Sequence, residues 1–309
     1  MLAKNIILDF KLYISGYWGD IENTSAESFD SLTSASNKSI IWISGRYKDI
    51  NHQLIQTDFA IAICPDYFEP SDELKKMGRC FIMTPTPRLL AIKVAQHYFT
   101  IRSSSFIHPT AVIHPSAVIA QGCTIGAYTT IGMVNISENV SIGEHCVIKD
   151  NVIIGNNVSI GPFSILGSEQ SANERDLDGS ILSFPHLGNL IISKNVKVGV
   201  DCIIAKGVFD DTVIGEGTII DSRCLIGHNT NIGKEVFISS CCQIGGSVTI
   251  NDKAILFSDV KTRQWISIGY KSVIGQGSLV IQNIPDREMW YGSPAKFIKM
   301  IEDNYRPFI

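Results

Sequence analysis

The stretch TVIGEGTIIDSRCLIGHNTNIGKEVFISSCCQIGGSVTI (212–250) places an isoleucine at every sixth position: Ile214, Ile220, Ile226, Ile232, Ile238, Ile244 and Ile250. A period of six matches neither the 3.6-residue turn of a helix nor the two-residue alternation of an ordinary strand. It fits short strands with a turn after each, the aliphatic side chain pointing inward every time. Downstream, Leu256 keeps the phase, Thr262 is the one polar substitute, and Ile268, Ile274 and Val280 restore it. Upstream, Ile192, Val198 and Ile204 form another run. Ile107 to Ile131 and, after a slip of one residue, Ile136 to Ile160 carry the same spacing.

Three six-residue sides close a triangular coil of 18 residues, and stacked coils bond strand to strand at about 4.8 Å. Each coil covers only its neighbours, giving a quasi-one-dimensional core. Glycine often follows the aliphatic position, as at Gly126, Gly143, Gly227 and Gly245. Gly or Asn is expected to ease the bend where positive φ is needed. Two stretches break the chemistry: GSEQSANERDLDGSILSFPHLGNL (167–190), read as a loop leaving the coil wall, and FSDVKTRQWIS (257–267). Long loops in compact proteins are functional or disordered.

The ends lack the period. Ser39–Ser44, Phe59–Cys64 and Cys80–Met83 read as strands, and Ser71–Met77 and Arg88–Phe99 as helices. The expected domains are therefore 1–103, a small α/β unit; 104–284, a mainly β solenoid with the 167–190 loop; and 285–309, a tail. In that tail, Pro294 followed by the apolar Phe297, Ile298 and Ile301 suggests a short helix covering the last coil.

The bulk numbers limit the function classes. With 45% hydrophobic residues the chain can bury a core, and its net charge of -4 argues against nucleic acid or an anionic membrane as a partner beyond peripheral contact. The first residues contain neither a signal peptide nor a membrane span, so a cytoplasmic protein is expected. The eight cysteines form no CxxC pair and have no histidines at zinc spacing, so free thiols and no metal are expected.

The combination resembles the UDP-3-O-acylglucosamine N-acyltransferases of lipid A synthesis. The resemblance rests on FIHPTAVIHPSAVIAQGCTIG (106–126), LGNLIISKNVKVGVDC (187–202), FDDTVIGEGTIIDSRCLIGHNTNIG (209–233), the loop, and IIWISGRY (40–47). It implies a left-handed β-helix, with handedness not contained in the spacing, and a homotrimer with sites between neighbouring helices. The ending YGSPAKFIKMIEDN (291–304) is instead similar to the tail of nucleotide-sugar N-acetyltransferases that use CoA. The mixture suggests transfer from acyl-CoA to a dideoxyamino sugar on UDP or dTDP. The lipid A reaction with an acyl carrier protein thioester is the alternative, and a non-catalytic β-helix binding protein is the rival of another class.

Amide formation from a thioester needs a proton acceptor and stabilisation of an oxyanion. His228, two residues past the inward Ile226, matches the family's catalytic histidine, and imidazole suits the pH range. Gly246, 18 residues on, falls on the next rung, and its N–H is the candidate oxyanion donor. The Gly245–Gly246 pair and Lys296 could meet the CoA donor. Trp42 and Tyr47 match the family's uracil-stacking aromatics. His186, Asp210 and Asp211 are candidate sugar or diphosphate contacts. Ser222 stands where the family has Asn, and Trp265 where it has a second functional His, so a different acyl chain or sugar is expected. His108 and His114 occupy equivalent repeat positions and read as structural.

Overall fold

A computed structural model describes residues 1–44, 50–100, 105–303 and 305, and the chain divides into two compact units, Met1–Arg102 and Ser103–Ile309. In chain order the first unit contains α1 (Ala3–Asp9), β1 (Gly16–Trp18), β2 (Ser28–Phe29), β3 (Ser39–Trp42), α2 (Ile50–Gln56), β4 (Ile61–Pro65), α3 (Asp72–Lys76), β5 (Cys80–Thr84) and α4 (Pro87–Tyr98). Its sheet runs β1-β5-β4-β3-β2, parallel except for β1 against β5. Both faces of the central strands are covered. Ile40, Ile61, Ile63 and Ile82 pack on one side, and Ile41, Ala62 and Phe81 on the other. Such strands read as continuous apolar runs, which is why SIIWIS and FAIAIC stand out in the sequence. Ser71 caps α3 by accepting the Leu74 N–H at 3.3 Å, and proline opens α4.

The second unit is a left-handed parallel β-helix. Its three faces hold eleven, nine and eight strands. The register steps once per coil: Ile226 pairs with Ile204 below and Ile244 above, and Ile214 pairs with Ile232. The inward column from Ile204 to Leu256 is at most 1% exposed, so each isoleucine fills the centre between two neighbours.

The turns divide their chemistry differently from the sequence expectation. The glycine after the inward residue, at positions such as 227, does not occupy the left-handed region. That region falls two residues later, on Asn139, Asn151, Asn157, Asn195 and Asn229, but also on Tyr128, His145, Phe163, Glu235 and Trp265. What Gly227 supplies is proximity, because a Cβ there would lie 2.5 Å from the Gly246 amide nitrogen. His108 and His114 are structural: each accepts, through Nδ1, the N–H two residues ahead, from Thr110 and Ser116.

The tail departs from its expected helix. Glu288–Tyr291 and Lys296–Met300 form an antiparallel hairpin that extends the eleven-stranded face, with Trp290 opposite Ile274. The last coil ends on an edge of unpaired backbone groups, and a strand satisfies that edge where a helix would leave it open. Trp290, Ala295 and Ile301 are buried as the cap, while Phe297 and Ile298 stay half exposed. Among the described residues no helix is long and apolar enough to cross a membrane.

Candidate active site

One corner of the β-helix, between the nine- and eight-stranded faces, collects most of the irregular chemistry. Going up the stack it carries residues 169–189, then 206–211, then 227–230, 245–248 and 263–266. His228 stands on this corner. Its Nδ1 lies 2.8 Å from Asn229 Oδ1, which also accepts the Val208 N–H at 3.1 Å. An oxygen that accepts both bonds places the proton on Nδ1 and leaves Nε2 with a free lone pair.

Asn229 is held on every side. Its N–H donates to Thr212 Oγ1 at 2.8 Å and its Nδ2 to the Asp210 carbonyl at 2.9 Å. Its φ of 57° is one that Asn tolerates well. The sequence signal was the residue after His228 in IGHN, where a side-chain amide coincides with a turn position.

Gly246 lies on the next rung. A Cβ on it would sit 2.8 Å from His228 Nε2, so the imidazole rests over the bare Cα. The Gly246 N–H donates to no group among the described residues, whereas Gly245 N–H is taken by Thr262 Oγ1 at 2.9 Å. That bond explains the one polar residue in the inward series: the hydroxyl substitutes for a ladder carbonyl at this corner. Of the glycine pair, only Gly246 is left with an unpaired donor.

The 169–189 loop leaves the wall at this same corner. It forms an exposed hairpin, Asn173–Arg175 against Ile181–Ser183, and returns through His186. His186 is 3% exposed and packs edge to face on His228, with ring centroids 5.6 Å apart at 88°. Burial pushes its imidazole below the ordinary value, and His228 adds to the lowering. Lys206, also buried, reaches Glu169 at 3.4 Å.

The remaining expected residues divide. Trp265 is on the corner, donating its N–H to the Gly246 carbonyl at 3.1 Å, with an exposed ring. Asp211 accepts both amide groups of Asn189 and so ties down the loop's return, and Asp210 contributes its carbonyl to Asn229; neither carboxylate is bonded to His228. Ser222 lies on the opposite end of the Leu225–Ile226 strand, beside Phe163, Val200, Asp201 and Arg223 in an open pocket. There its N–H donates to Asp221, whose carboxyl is held below the usual range by the Ser240 hydroxyl first and Ser222 second. Lys296 is exposed on the terminal hairpin, on another face. Trp42 is half buried against the core of the first unit, and Tyr47 lies outside the described residues. Among the described residues no three His, Cys, Asp or Glu side chains converge as a metal site.

The bacterial transferase hexapeptide family (six repeats) matches residues 133–168. The UDP-3-O-acylglucosamine N-acyltransferase 2 of Rhodopseudomonas palustris (strain BisB18) is 37% identical over 112 residues, 36% of this chain and 30% of that protein. The UDP-3-O-acylglucosamine N-acyltransferase of Methylorubrum extorquens (strain PA1) is 34% identical over 121 residues, 39% of this chain and 34% of that protein. The matched segments thus span about a third of these relatives' length. The crystal structure of the Francisella novicida UDP-N-acetylglucosamine acyltransferase superposes with a TM-score of 0.57 at 28% identity, over 63% of this chain and 70% of that one. The chain thus carries hexapeptide repeats on a β-helix similar to that of these acyltransferases.

Proposed function

We propose that the chain is an N-acyltransferase that moves an acyl group from a thioester to the amine of a UDP-linked, glucosamine-type sugar. The observation that carries this reading is the pairing of His228 Nε2 with the unpaired Gly246 N–H on adjacent rungs. The sugar amine attacks the thioester carbonyl and its proton passes to Nε2. The Gly246 N–H donates to the oxyanion of the tetrahedral intermediate. Collapse expels the thiolate, which takes the proton back from His228, so amide and thiol are the products. The rigid lattice of the coil supplies alignment, the main requirement of this reaction.

The names of the sequence relatives favour a UDP-3-O-acylglucosamine acceptor over a dTDP-linked dideoxyamino sugar, and with that acceptor we pair an acyl carrier protein thioester as donor in place of acyl-CoA. In this reading Trp42 and Tyr47 hold the uracil, and the chain works as a trimer. The test is turnover of UDP-3-O-acylglucosamine with acyl carrier protein thioester and with acyl-CoA, in wild type and His228→Ala. A folded His228→Ala protein with unchanged kcat rejects the base assignment. Turnover with acyl-CoA alone rejects the carrier-protein donor.

A further inference from the structure

Among the described residues only two buried side-chain polar atoms lack a hydrogen-bond partner, Ser168 Oγ and His186 Nδ1. Both belong to the roots of the 169–189 loop, at the corner that carries His228. A buried polar atom left unpaired costs stability, so packing alone would be better served by an apolar side chain. What the imidazole at 186 does instead is visible in its contacts. Its Nε2 accepts the Gln170 N–H at 3.4 Å, which joins the two roots of the loop. The Gln170 side-chain amide then donates to the Ile226 carbonyl at 3.4 Å, on the strand leading to His228. The ring itself stands edge-on against the His228 ring.

His228 is therefore held from two directions. Asn229 fixes its tautomer through Nδ1, but one hydrogen bond leaves the ring free to swing about it. His186 closes that freedom from the side. Trp265, on the same corner, turns its ring to solvent, and the second imidazole against His228 comes from the loop. We infer that His186 is a positioning residue for His228: it latches the loop onto the corner and pins the His228 ring with Nε2 over Gly246. This rests on the acyl-transfer reading for its consequence in rate, and on geometry alone for the pinned ring.

The test compares His186→Ala and His186→Phe with wild type. A misplacement of about 1 Å at a reacting group costs on the order of a hundredfold in rate, so loss of the pin in His186→Ala is expected to lower kcat by about tenfold or more. The KM values for sugar nucleotide and thioester should stay within about twofold, because the contacts of the buried His186 ring are with the Gln170 N–H and the His228 ring. His186→Phe keeps a ring against His228 and should recover most of the lost kcat. In parallel, imidazole 15N relaxation should show the His228 ring rigid in wild type and mobile in His186→Ala, with the Nδ1–H tautomer still set by Asn229. Wild-type kcat in His186→Ala, or equal losses in the Ala and Phe variants, overturns the inference. The relaxation data also separate the two claims. If wild type turns over no thioester, the acyl-transfer reading falls. The pinned ring falls only if the His228 ring motion is unchanged by His186→Ala.

Discussion

Gly246→Ala discriminates sharply between a glycine that makes a turn and one that makes a site. The new methyl carbon would be 2.8 Å from His228 Nε2, 3.0 Å from Cε1 and 3.2 Å from Cδ2, with no backbone atom among these nearest neighbours. Ordinary contact begins near 3.4 Å, so the ring must retreat by about 0.6 Å (3.4 − 2.8). The imidazole is the far end of a flexible side chain, and Gly246 is not in the left-handed region, so the fold should absorb the change. The catalytic arrangement should not. Nε2 is displaced from its place over the rung, and the methyl group crowds the approach to the Gly246 N–H. Removing one oxyanion donor costs about a hundredfold or more in kcat. We expect a loss on the order of a hundredfold, about 2.7 kcal/mol at 1.36 kcal/mol per tenfold. The assay is initial-rate kinetics with UDP-3-O-acylglucosamine and thioester, beside thermal unfolding of the same preparation. Gly245→Ala is the control with the opposite signature. Its Cβ would meet Gln264 N at 2.8 Å and the Arg263 carbonyl carbon at 3.0 Å, which are backbone, so stability should fall with it. A folded Gly246→Ala enzyme with kcat within about threefold of wild type would refute both the oxyanion role and the ring placement.

Thr262→Val keeps the volume but removes the acceptor of the Gly245 N–H, and should lower unfolding free energy by about 1–2 kcal/mol in denaturant titration; an unchanged midpoint would show that bond to be dispensable. Asn229→Ala removes the Nδ1 acceptor together with the tie to Asp210, so kcat should fall by about tenfold or more while Asn229→Asp, which retains an oxygen, should lose less; equal losses would count against tautomer control. His186 is charged more reluctantly in the folded chain than in the unfolded one, whose imidazole titrates near 6.5. The unfolded chain then binds more protons, so this contribution to stability is present above about pH 6.5 and is lost as pH falls through the lowered folded value. With His228, Lys206 and Glu169 as its charged or titratable surroundings, His186→Phe should flatten the acid side of the unfolding-versus-pH curve, and an identical curve would contradict the burial argument. Cys241 is exposed and the other seven thiols are buried, with Cys80 pushed up to about 12 chiefly by burial, so an aromatic disulfide reagent should label Cys241 alone in the native protein; labelling of a second thiol before unfolding would mean that the coil opens.

The solenoid is readable from the sequence because its period is enforced residue by residue. A side chain at 226 must fill the same triangle as those at 204 and 244, and the stack tolerates no drift between rungs. The first unit was legible at its interior, where β3, β4 and β5 are buried on both faces, and at the helices α3 and α4. The short α1, β1, β2 and α2 carry too few apolar positions to show a period, and tertiary contacts hold them. The tail failed for a specific reason. Phe297, Ile298 and Ile301 satisfy a helical spacing as well as a strand, and what decides between them is the open edge of the last coil, which no local pattern contains. In the site, His228 and Gly246 could be paired because their separation equals one coil. Ser222 is six residues before His228, one side of the same coil, and the structure accordingly puts it at the other end of the Leu225–Ile226 strand.

The placement of the irregular segments adds an argument that spacing alone could not supply. A stacked coil can accept extra residues only at its corners, because its faces are hydrogen-bonded above and below. Three corners are available per coil. Yet both the long loop and the 206–211 excursion leave from the corner of His228, on the two rungs directly beneath it. The lower excursion supplies Val208 and Asp210 to Asn229, and the upper rung supplies Thr262 to Gly245. The loop supplies His186 to His228. Both insertions into the six-residue pattern thus end in contacts that hold His228 or its neighbour Asn229. Insertions placed only for tolerance would scatter among the corners and would have no reason to converge on one imidazole. Grafting the 169–189 sequence onto an equivalent corner one face away should therefore leave the coil folded and the rate at the level of a loop deletion. A graft that retained wild-type kcat would separate the loop from the site altogether.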